Sequence, residues 1–221
     1  MKRLGFVTIG QAPRVDLVPE IKMVLGDDVE IVEKGALDGL TLKEVEAFYP
    51  GEDDGVLVTR MADGTEVKVS EREIFPRLKN QIKNLELEGI KTIFLACTGE
   101  FPAFDCNSLI VRPQKVLHHV VCSLAEGLTL GVIIPDERQA ASAKERWSTT
   151  AVKVIVEPGS PYTGIENIEK AAKLLARSGV DIVVMDCMGY TLQMKNIVLQ
   201  HVKKPVILAR SLAAKVVSEL L

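Results

Sequence analysis

The feature that most constrains the fold is a series of short apolar segments, each followed by polar loop or helix signals. Those richest in β-branched residues are LGFVTIG, KTIFLAC, LTLGVIIP, VKVIVEP, DIVVMDC and KPVILAR. Continuous apolar runs of this length are typical of parallel strands covered on both faces by helices. The chain is therefore expected to be an α/β protein built on parallel sheets.

Helix boundaries can be read from capping patterns. Two pairs match a capping box, in which each partner satisfies a free amide at a helix start: Ser70 with Glu73 and Thr163 with Glu166. Gly89 and Gly179 follow the apolar periodicity that ends each of these helices, where a left-handed residue is favoured. An amphipathic pattern over residues 13–25, with Pro13 at its start, predicts a further helix after the first strand.

The order of these elements indicates an internal duplication. Residues 4–10 and 130–135 are both apolar strands that open into a polar loop, and residues 93–97 and 182–187 are both strands that end on a cysteine. Two pseudo-symmetric parallel-sheet halves are expected, residues 1–127 and 128–221, with the C-terminal helix able to pack on the first half.

An insertion lengthens the first half. Residues 56–70 contain Asp63-Gly64 between alternating strands, which is a strong hairpin signal. We expect Val56 and Val58 to pair against Val67 and Val69 in a protruding hairpin that caps the ligand crevice or meets a partner.

Composition limits the classes of partner. A formal net charge of -3 and a pI near 5.7 give no basic field suited to nucleic acid or an anionic membrane. No apolar stretch approaches the length of about 20 residues that spans a bilayer, and the N-terminus has no cleavage-site pattern of a signal peptide. A cytoplasmic protein is expected, and both a monomer and a homo-oligomer are compatible with this composition.

The cysteines do not form a familiar metal motif. Cys97, Cys106, Cys122 and Cys187 include no Cys-x-x-Cys pair, and the three histidines supply no zinc spacing. Free thiols and no metal site are expected. Cys106, in a polar loop, and Cys122, in an apolar helical stripe with Val121 and Leu124, are interpreted as structural.

Cys97 and Cys187 have a different context, because each ends a predicted strand. Ligands of open parallel sheets bind beyond the carboxyl ends of the strands. Three strand-end turns are therefore expected to face one crevice: Gly10-Gln11, Cys97-Thr98-Gly99 and the turn from Cys187 through Gly189 to Tyr190. The alternative is that each cysteine only fills a tight space in the core.

The same turns offer groups for a small acidic ligand. Glycines permit close backbone approach, and a following helix start supplies amides for a carboxylate and for a thiolate. Hydrogen bonds are expected from Thr8, Gln11, Thr98 and Tyr190. Arg14 and Arg60 are the candidates for a forked carboxylate contact, with solvated surface positions as the alternative.

Four segments together resemble the AroM family along almost the whole chain: VTIGQAPR, LVTRMADG, the ACTG turn and the MDCMGY turn. The resemblance implies the aspartate/glutamate/hydantoin racemase-like fold, with two flavodoxin-like layered halves. It also implies catalysis without a cofactor, in which Cys97 and Cys187 act from opposite faces of a substrate carbon.

The chain departs from the racemase pattern beside both cysteines. Racemases usually carry Asn-Thr after the first cysteine and Thr after the second, where this chain has Thr98-Gly99 and Met188-Gly189. An isomerase or decarboxylase of the same superfamily is therefore an alternative to a racemase. A second alternative is a carboxylate-binding or regulatory protein without turnover, linked to aromatic amino-acid metabolism.

Overall fold

The structure is a computed structural model in which residues 2–221 are described. The strands of this part of the chain are β1 (Lys2–Thr8), β2 (Val29–Gly35), β3 (Val56–Arg60), β4 (Glu66–Ser70), β5 (Thr92–Leu95), β6 (Leu109–Val111), β7 (Thr129–Ile134), β8 (Lys153–Pro158), β9 (Ile182–Met185) and β10 (Val206–Leu208). The helices are α1 (Val18–Leu25), α2 (Leu42–Glu46), α3 (Glu71–Leu87), α4 (Pro113–Ala125), α5 (Ala140–Trp147), α6 (Ile165–Arg177), α7 (Leu192–Val202) and α8 (Ala209–Leu220).

Two parallel sheets have the same strand order. The first runs β2-β1-β5-β6 and the second runs β8-β7-β9-β10. In each, the first strand of its half lies in the centre beside the strand that leads into a cysteine. The expected α/β fold with two pseudo-symmetric parallel-sheet halves is confirmed.

The chain divides into two compact units. Unit 1 contains the residues up to Pro113 together with Ala213–Leu221, and unit 2 contains Gln114–Leu212.

The core of unit 1 lies between its sheet and α3. Leu78, Ile82 and Leu85 on one face of α3 are buried against Val7 and Ile93 of the sheet. Fully burying a leucine or isoleucine side chain is worth about 1.5–3 kcal/mol, so this apolar stripe accounts for the position of α3. α3 begins after Ser70, whose hydroxyl accepts a hydrogen bond from the Arg72 amide, and Gly89 follows its end at φ +80°.

The core of unit 2 repeats this arrangement with α6. Ile168, Ala171, Ala172 and Leu175 form its buried face, and Gly179 follows the helix at φ +68°. The predicted capping role of Thr163 is wrong. Gly164, at φ +113°, immediately precedes α6, and the Thr163 hydroxyl instead accepts a hydrogen bond from Asn167 at 3.0 Å.

Helix α1 begins later than expected, at Val18. Residues 13–17 form a turn, because the Arg14 carbonyl accepts hydrogen bonds from the amides of Leu17 and Val18. Pro19, in the first turn of α1, takes the place that Pro13 was expected to occupy.

The predicted hairpin is present as β3 and β4, with Gly64 at φ +98° in its turn. Its expected register is wrong: Val69 pairs with Leu57, and Val67 pairs with Thr59. Met61 and Thr65 close the turn through a hydrogen bond of 2.9 Å, which fixes this pairing. Leu57, Val67 and Val69 belong to the core of unit 1, so the hairpin is packed on its unit and does not protrude from it.

Candidate functional site: two cysteine turns and a buried arginine network

The first cysteine turn follows β5 directly. The Ala96 amide donates to the Val7 carbonyl at 2.8 Å, which keeps the chain beside β1. Cys97 is buried, and its sulfur accepts a hydrogen bond from the Gly99 amide at 3.2 Å. A donor aimed at sulfur favours the thiolate over the neutral thiol.

The second cysteine turn has the same local geometry. Asp186 follows β9, and its amide donates to the Ile133 carbonyl at 2.9 Å. Cys187 is buried, and the Gly189 amide donates to its sulfur at 3.4 Å. In both units, then, the cysteine follows the equivalent strand and receives a hydrogen bond from the glycine two residues later.

For Cys97, the expectation that a helix start lies beside the cysteine is wrong. Residues 96–108 contain neither helix nor strand, and the next element after Cys97 is β6. Helix α7 begins at Leu192, after Thr191 has capped it by accepting a hydrogen bond from the Met194 amide. A glycine amide therefore donates to each of the two sulfurs, which is the role predicted for helix termini.

The glycines of these turns are in close contact with their own unit. A methyl group on Gly10 would overlap the hydroxyl of Thr59 and the carbonyl of Arg60, and one on Gly99 would lie 2.9 Å from Leu57 Cδ2. Strand β3 therefore crosses the carboxyl ends of both β1 and β5. The hairpin therefore approaches both glycines closely.

Gly189 is packed in a comparable way in unit 2. A methyl group there would lie 2.6 Å from Tyr162 Oη and 2.7 Å from Pro161 Cγ. The loop that leads from β8 to α6 therefore covers the Cys187 turn. The requirement for glycine at this position comes from that loop.

A polar network occupies the carboxyl end of β1. The Arg14 guanidinium is buried and donates to the hydroxyls of Thr8 at 2.7 Å and Thr59 at 3.4 Å. Its Nε and Nη2 atoms each donate at 2.8 Å to separate oxygens of Asp16. Arg14 thus lies beside the end of β1 as predicted, but its fork binds a carboxylate of its own chain.

Asp16 is the charged centre of this network. Burial acts to raise its pKa, but the hydrogen bonds and charge of Arg14, together with the charge of Arg60, lower the pKa below its ordinary value of 3.8. Arg60 Nη1 lies 3.9 Å from Asp16 Oδ2 and its side chain is 21% exposed. Of the two arginines, Arg60 is the one that solvent reaches.

Gln11 connects three segments of unit 1. Its side-chain nitrogen donates to the carbonyls of Leu37 and Leu40, and its side-chain oxygen accepts from the Ala62 amide at 2.8 Å. Both amide donors are engaged, so Gln11 holds the strand-end loop against the hairpin turn.

Tyr190 is fully buried, and its hydroxyl donates to the Gly159 carbonyl at 2.8 Å. Burial, followed by the neighbouring groups of Cys187 and Asp186, raises its pKa well above the usual value of 10.0. It is therefore a neutral donor that ties the Cys187 turn to the end of β8. Thr98, in the first turn, is also buried.

The sequence did not predict three residues that contact the Cys187 turn, namely Arg146, Trp147 and Arg210. Asp186 accepts hydrogen bonds from Arg146 at 2.7 Å and from the Trp147 indole at 2.8 Å, which fixes the end of β9 to α5. Arg210 is buried and donates to the carbonyls of Met188 and Gly189. No local pattern marks these partners, because they are far from the turn in sequence.

The remaining cysteines differ from the two strand-end residues. Cys106 packs against the core of unit 1, and burial, then the charge of Glu86, raises the pKa of its thiol above 9.0. Cys122 and Leu124 are exposed, so their predicted place in a buried stripe is wrong. Helix α4 buries instead Leu117, Val121 and Ala125, which are spaced by four residues.

Within residues 2–221, no cluster of three or more His, Cys, Asp or Glu side chains is arranged to hold a metal ion. Over the same residues, no helix combines the length and apolarity needed to cross a bilayer.

The fold is that of the racemase-like α/β proteins. Aspartate racemase from Picrophilus torridus superposes with a TM-score of 0.60 at 15% identity, over 99% of this chain and 94% of its own. Maleate cis-trans isomerase from Nocardia farcinica gives a TM-score of 0.65 at 13% identity, over 100% and 93%. An arylmalonate decarboxylase gives 0.58 at 11% identity, over 100% and 92%.

Sequence comparison identifies the family. The model of the AroM protein family matches residues 4–221, so the chain belongs to the AroM family. No curated protein matches the chain by sequence.

Proposed function

We propose that this protein is a cofactor-independent racemase-, isomerase- or decarboxylase-like enzyme that acts on a small carboxylic acid through Cys97 and Cys187. The observation that carries the proposal is the repeated turn: in each unit the cysteine follows the equivalent strand, and a glycine amide donates to its sulfur at 3.2 or 3.4 Å. One such turn is accounted for by packing, whereas two in equivalent positions favour a shared chemical role.

The proposed chemistry is carried out by the two thiols of Cys97 and Cys187. In a racemisation, one cysteine as thiolate takes the proton from the carbon next to the carboxylate, and the other cysteine as thiol returns a proton to the opposite face. In a decarboxylation, the bond to the carboxylate breaks, carbon dioxide leaves, and one thiol protonates the remaining carbon. Fold relatives named as a racemase, an isomerase and a decarboxylase support this range of reactions.

Arg60 is proposed to supply the carboxylate contact in unit 1. It is partly exposed, and its nearest carboxylate, in Asp16, is 3.9 Å away, whereas the fork of Arg14 is filled by Asp16 at 2.8 Å. Thr98 and the backbone of Gly99 and Gly189 are proposed to complete the binding surface. We also propose a cytoplasmic location and a duplication boundary near residue 128, where β7 repeats β1.

Proton exchange tests the enzymatic proposal directly. The protein is incubated in D₂O with aspartate, glutamate and monoaryl acetic acids, and deuterium incorporation next to the carboxylate is followed by NMR; maleate isomerisation and arylmalonate decarboxylation are followed in parallel. Turnover is expected for at least one acid and should be lost in Cys97→Ser and Cys187→Ser.

A non-catalytic carboxylate-binding or regulatory protein is the second candidate, because Asn-Thr of the racemase pattern is replaced by Thr98-Gly99 and its second Thr by Met188. A thermal-shift screen of the same acids separates the two. A ligand at about 100 times its dissociation constant adds roughly 2.7 kcal/mol of stability. Such stabilisation without turnover, with Cys97→Ser and Cys187→Ser binding as well as the natural chain, supports the binder.

A further inference from the structure

A buried guanidinium contacts the backbone of the Cys187 turn. Arg210, in the first turn of α8, is 1% exposed. Its Nε donates to the Met188 carbonyl at 2.9 Å, and its Nη2 donates to the Gly189 carbonyl at 3.0 Å. One rigid, planar group therefore fixes the two consecutive peptide units that follow Cys187.

Fixing these carbonyls also fixes the amides. The only cis peptide among the described residues is Ala12-Pro13, so the peptide bonds after Met188 and Gly189 are trans. In a trans peptide the N–H points opposite to the C=O of the same unit. Since both carbonyls point to Arg210, the amides of Gly189 and Tyr190 point away from it.

One of these directions is confirmed by a contact. The Gly189 amide, which belongs to the unit whose carbonyl Arg210 holds, donates to Cys187 Sγ at 3.4 Å. The arginine and the sulfur therefore lie on opposite sides of the same peptide. Successive amides turned to one side form an anion-binding concavity, and a positive charge behind them strengthens their interaction with an anion.

An arginine of unit 1 acts at a different place. Arg112 comes directly after β6 and before α4, whereas Arg210 comes two residues after β10 and lies within α8. Arg112 Nη1 donates to the carbonyls of Phe101 at 2.9 Å and Pro102 at 3.3 Å. These carbonyls are four and five residues beyond Cys97, so Arg112 does not hold the peptide whose amide reaches the Cys97 sulfur. An arginine therefore holds the peptides directly after Cys187, and Arg112 does not hold those directly after Cys97.

We propose that Arg210 is a positioning residue that holds the Gly189 and Tyr190 amides as an anion-binding pair beside Cys187, for a carboxylate or for the negative oxygen that develops during proton transfer. The proposal rests on the proposed function and deepens it. It assigns the preorganised anion site to unit 2. The reactivity of Cys187 should therefore depend on Arg210 more strongly than the reactivity of Cys97 does.

Two alkylating agents of similar size test this assignment. Iodoacetate carries a carboxylate and iodoacetamide does not. With either, the thiolate sulfur attacks the methylene carbon, a sulfur–carbon bond forms and iodide leaves. Rates at Cys187, Cys97 and the exposed Cys122 are measured by peptide mass mapping at pH 7, and the iodoacetate-to-iodoacetamide ratio at Cys122 gives the reference for free solution.

In the natural protein the ratio at Cys187 should exceed the reference at Cys122. Arg210→Met should lower the iodoacetate rate at Cys187 about tenfold or more, since loss of one preorganised donor costs a comparable factor or greater in enzymes. Arg112→Met, the matched control, should leave Cys187 unchanged. Arg210→Lys, which keeps the charge but lacks the planar fork, should lie between.

The outcomes separate the proposals. Equal changes at Cys97 and Cys187 in Arg210→Met, or an unchanged ratio at Cys187, would overturn the role of Arg210. If Arg210→Met does not fold, Arg210→Lys decides by the same criterion. If the natural protein prefers iodoacetate at neither cysteine, the carboxylate site of the proposed function fails. In that case the pH dependence of iodoacetamide labelling still tests Arg210. The labelling profile of Cys187 should shift to higher pH in Arg210→Lys, and the profile of Cys97 should stay unchanged.

Discussion

Arg14 and Asp16 form an ion pair with two parallel hydrogen bonds of 2.8 Å, although only one residue lies between them along the chain. The arginine side chain is 3% exposed and the aspartate side chain 16%. A pair of this kind is costly to break, because removal of one partner leaves the other charge buried.

Asp16→Asn should therefore lower the free energy of unfolding by about 3 kcal/mol, measured by urea denaturation at pH 7. Glu30→Gln is the control: Glu30 pairs with Arg3 at 3.2 Å, both side chains are exposed, and a loss of less than about 1 kcal/mol is expected. Equal losses in the two variants would contradict the structural role of Asp16.

The same pair predicts a pH dependence. The pKa of Asp16 is lower in the folded protein than its ordinary value of 3.8, so the unfolded chain binds the proton more readily. The stabilisation that ionised Asp16 contributes is complete above pH 3.8, its ordinary pKa. It is lost as the pH falls through the lower pKa that Asp16 has in the folded protein. The stability difference between the natural chain and Asp16→Asn should shrink across that acidic window and stay constant between pH 5 and about 7.

Cys106 should be the slow thiol of unit 1. Burial and the charge of Glu86 raise its pKa above 9.0, so it should react slowly with iodoacetamide at pH 7 and faster only in alkaline solution. Glu86→Gln, which removes the charge and keeps an acceptor, should increase its rate at pH 8 several-fold. Cys122, which is exposed, serves as the reference in each digest. A Cys106 rate equal to that of Cys122 at pH 7 would be inconsistent with this environment.

The Cys187 turn should not tolerate a side chain at Gly189. Gly189→Ala places a methyl group 2.6 Å from Tyr162 Oη and 2.7 Å from Pro161 Cγ, so the turn or the loop must move. Such overpacking typically costs about 1–3 kcal/mol, and thermal unfolding measures it. Gly51→Ala, whose methyl group would lie 3.4 Å from Asp54, should be nearly neutral. The idea fails if both variants unfold at the same temperature.

The hairpin should stabilise the fold and also shield the Cys97 thiol from solvent. Leu57 is 5% exposed and touches the Cys97 turn at Gly99. Leu57→Ala should cost about 2–5 kcal/mol and should increase the iodoacetamide rate at Cys97. Leu109→Ala, at a residue that is 53% exposed, should do neither. Unchanged Cys97 labelling in a destabilised Leu57→Ala would show that the hairpin does not shield that thiol.

Sequence periodicity was sufficient for the strands that form the centre of each sheet. It missed the two edge strands of the first sheet, which are β2, where Glu30, Glu33 and Lys34 interrupt the apolar pattern, and β6, a three-residue strand. The hairpin was predicted from Asp63-Gly64, but its register depends on the bond between Met61 and Thr65, which no strand pattern specifies.

The candidate site was predictable only where its residues are neighbours in sequence. The cysteine turns and the place of Arg14 beside β1 followed from strand ends. The partners that orient them did not, because Asp186 meets Arg146 forty residues away and the Met188 carbonyl meets Arg210 twenty-two residues away. A local pattern carries no information about contacts at such separations.

Under the proposed function, the close contacts at Gly99 and Gly189 mark two places where substrate specificity would change without altering the sheets. The atoms nearest to those glycines belong to Leu57 on the hairpin and to Tyr162 on the loop between β8 and α6, both outside the repeated strands. A smaller or more polar residue at position 57 or 162 would alter the space above a cysteine turn while the sheet beneath it stays intact. Natural divergence and laboratory evolution alike would therefore be expected to adapt these two positions first.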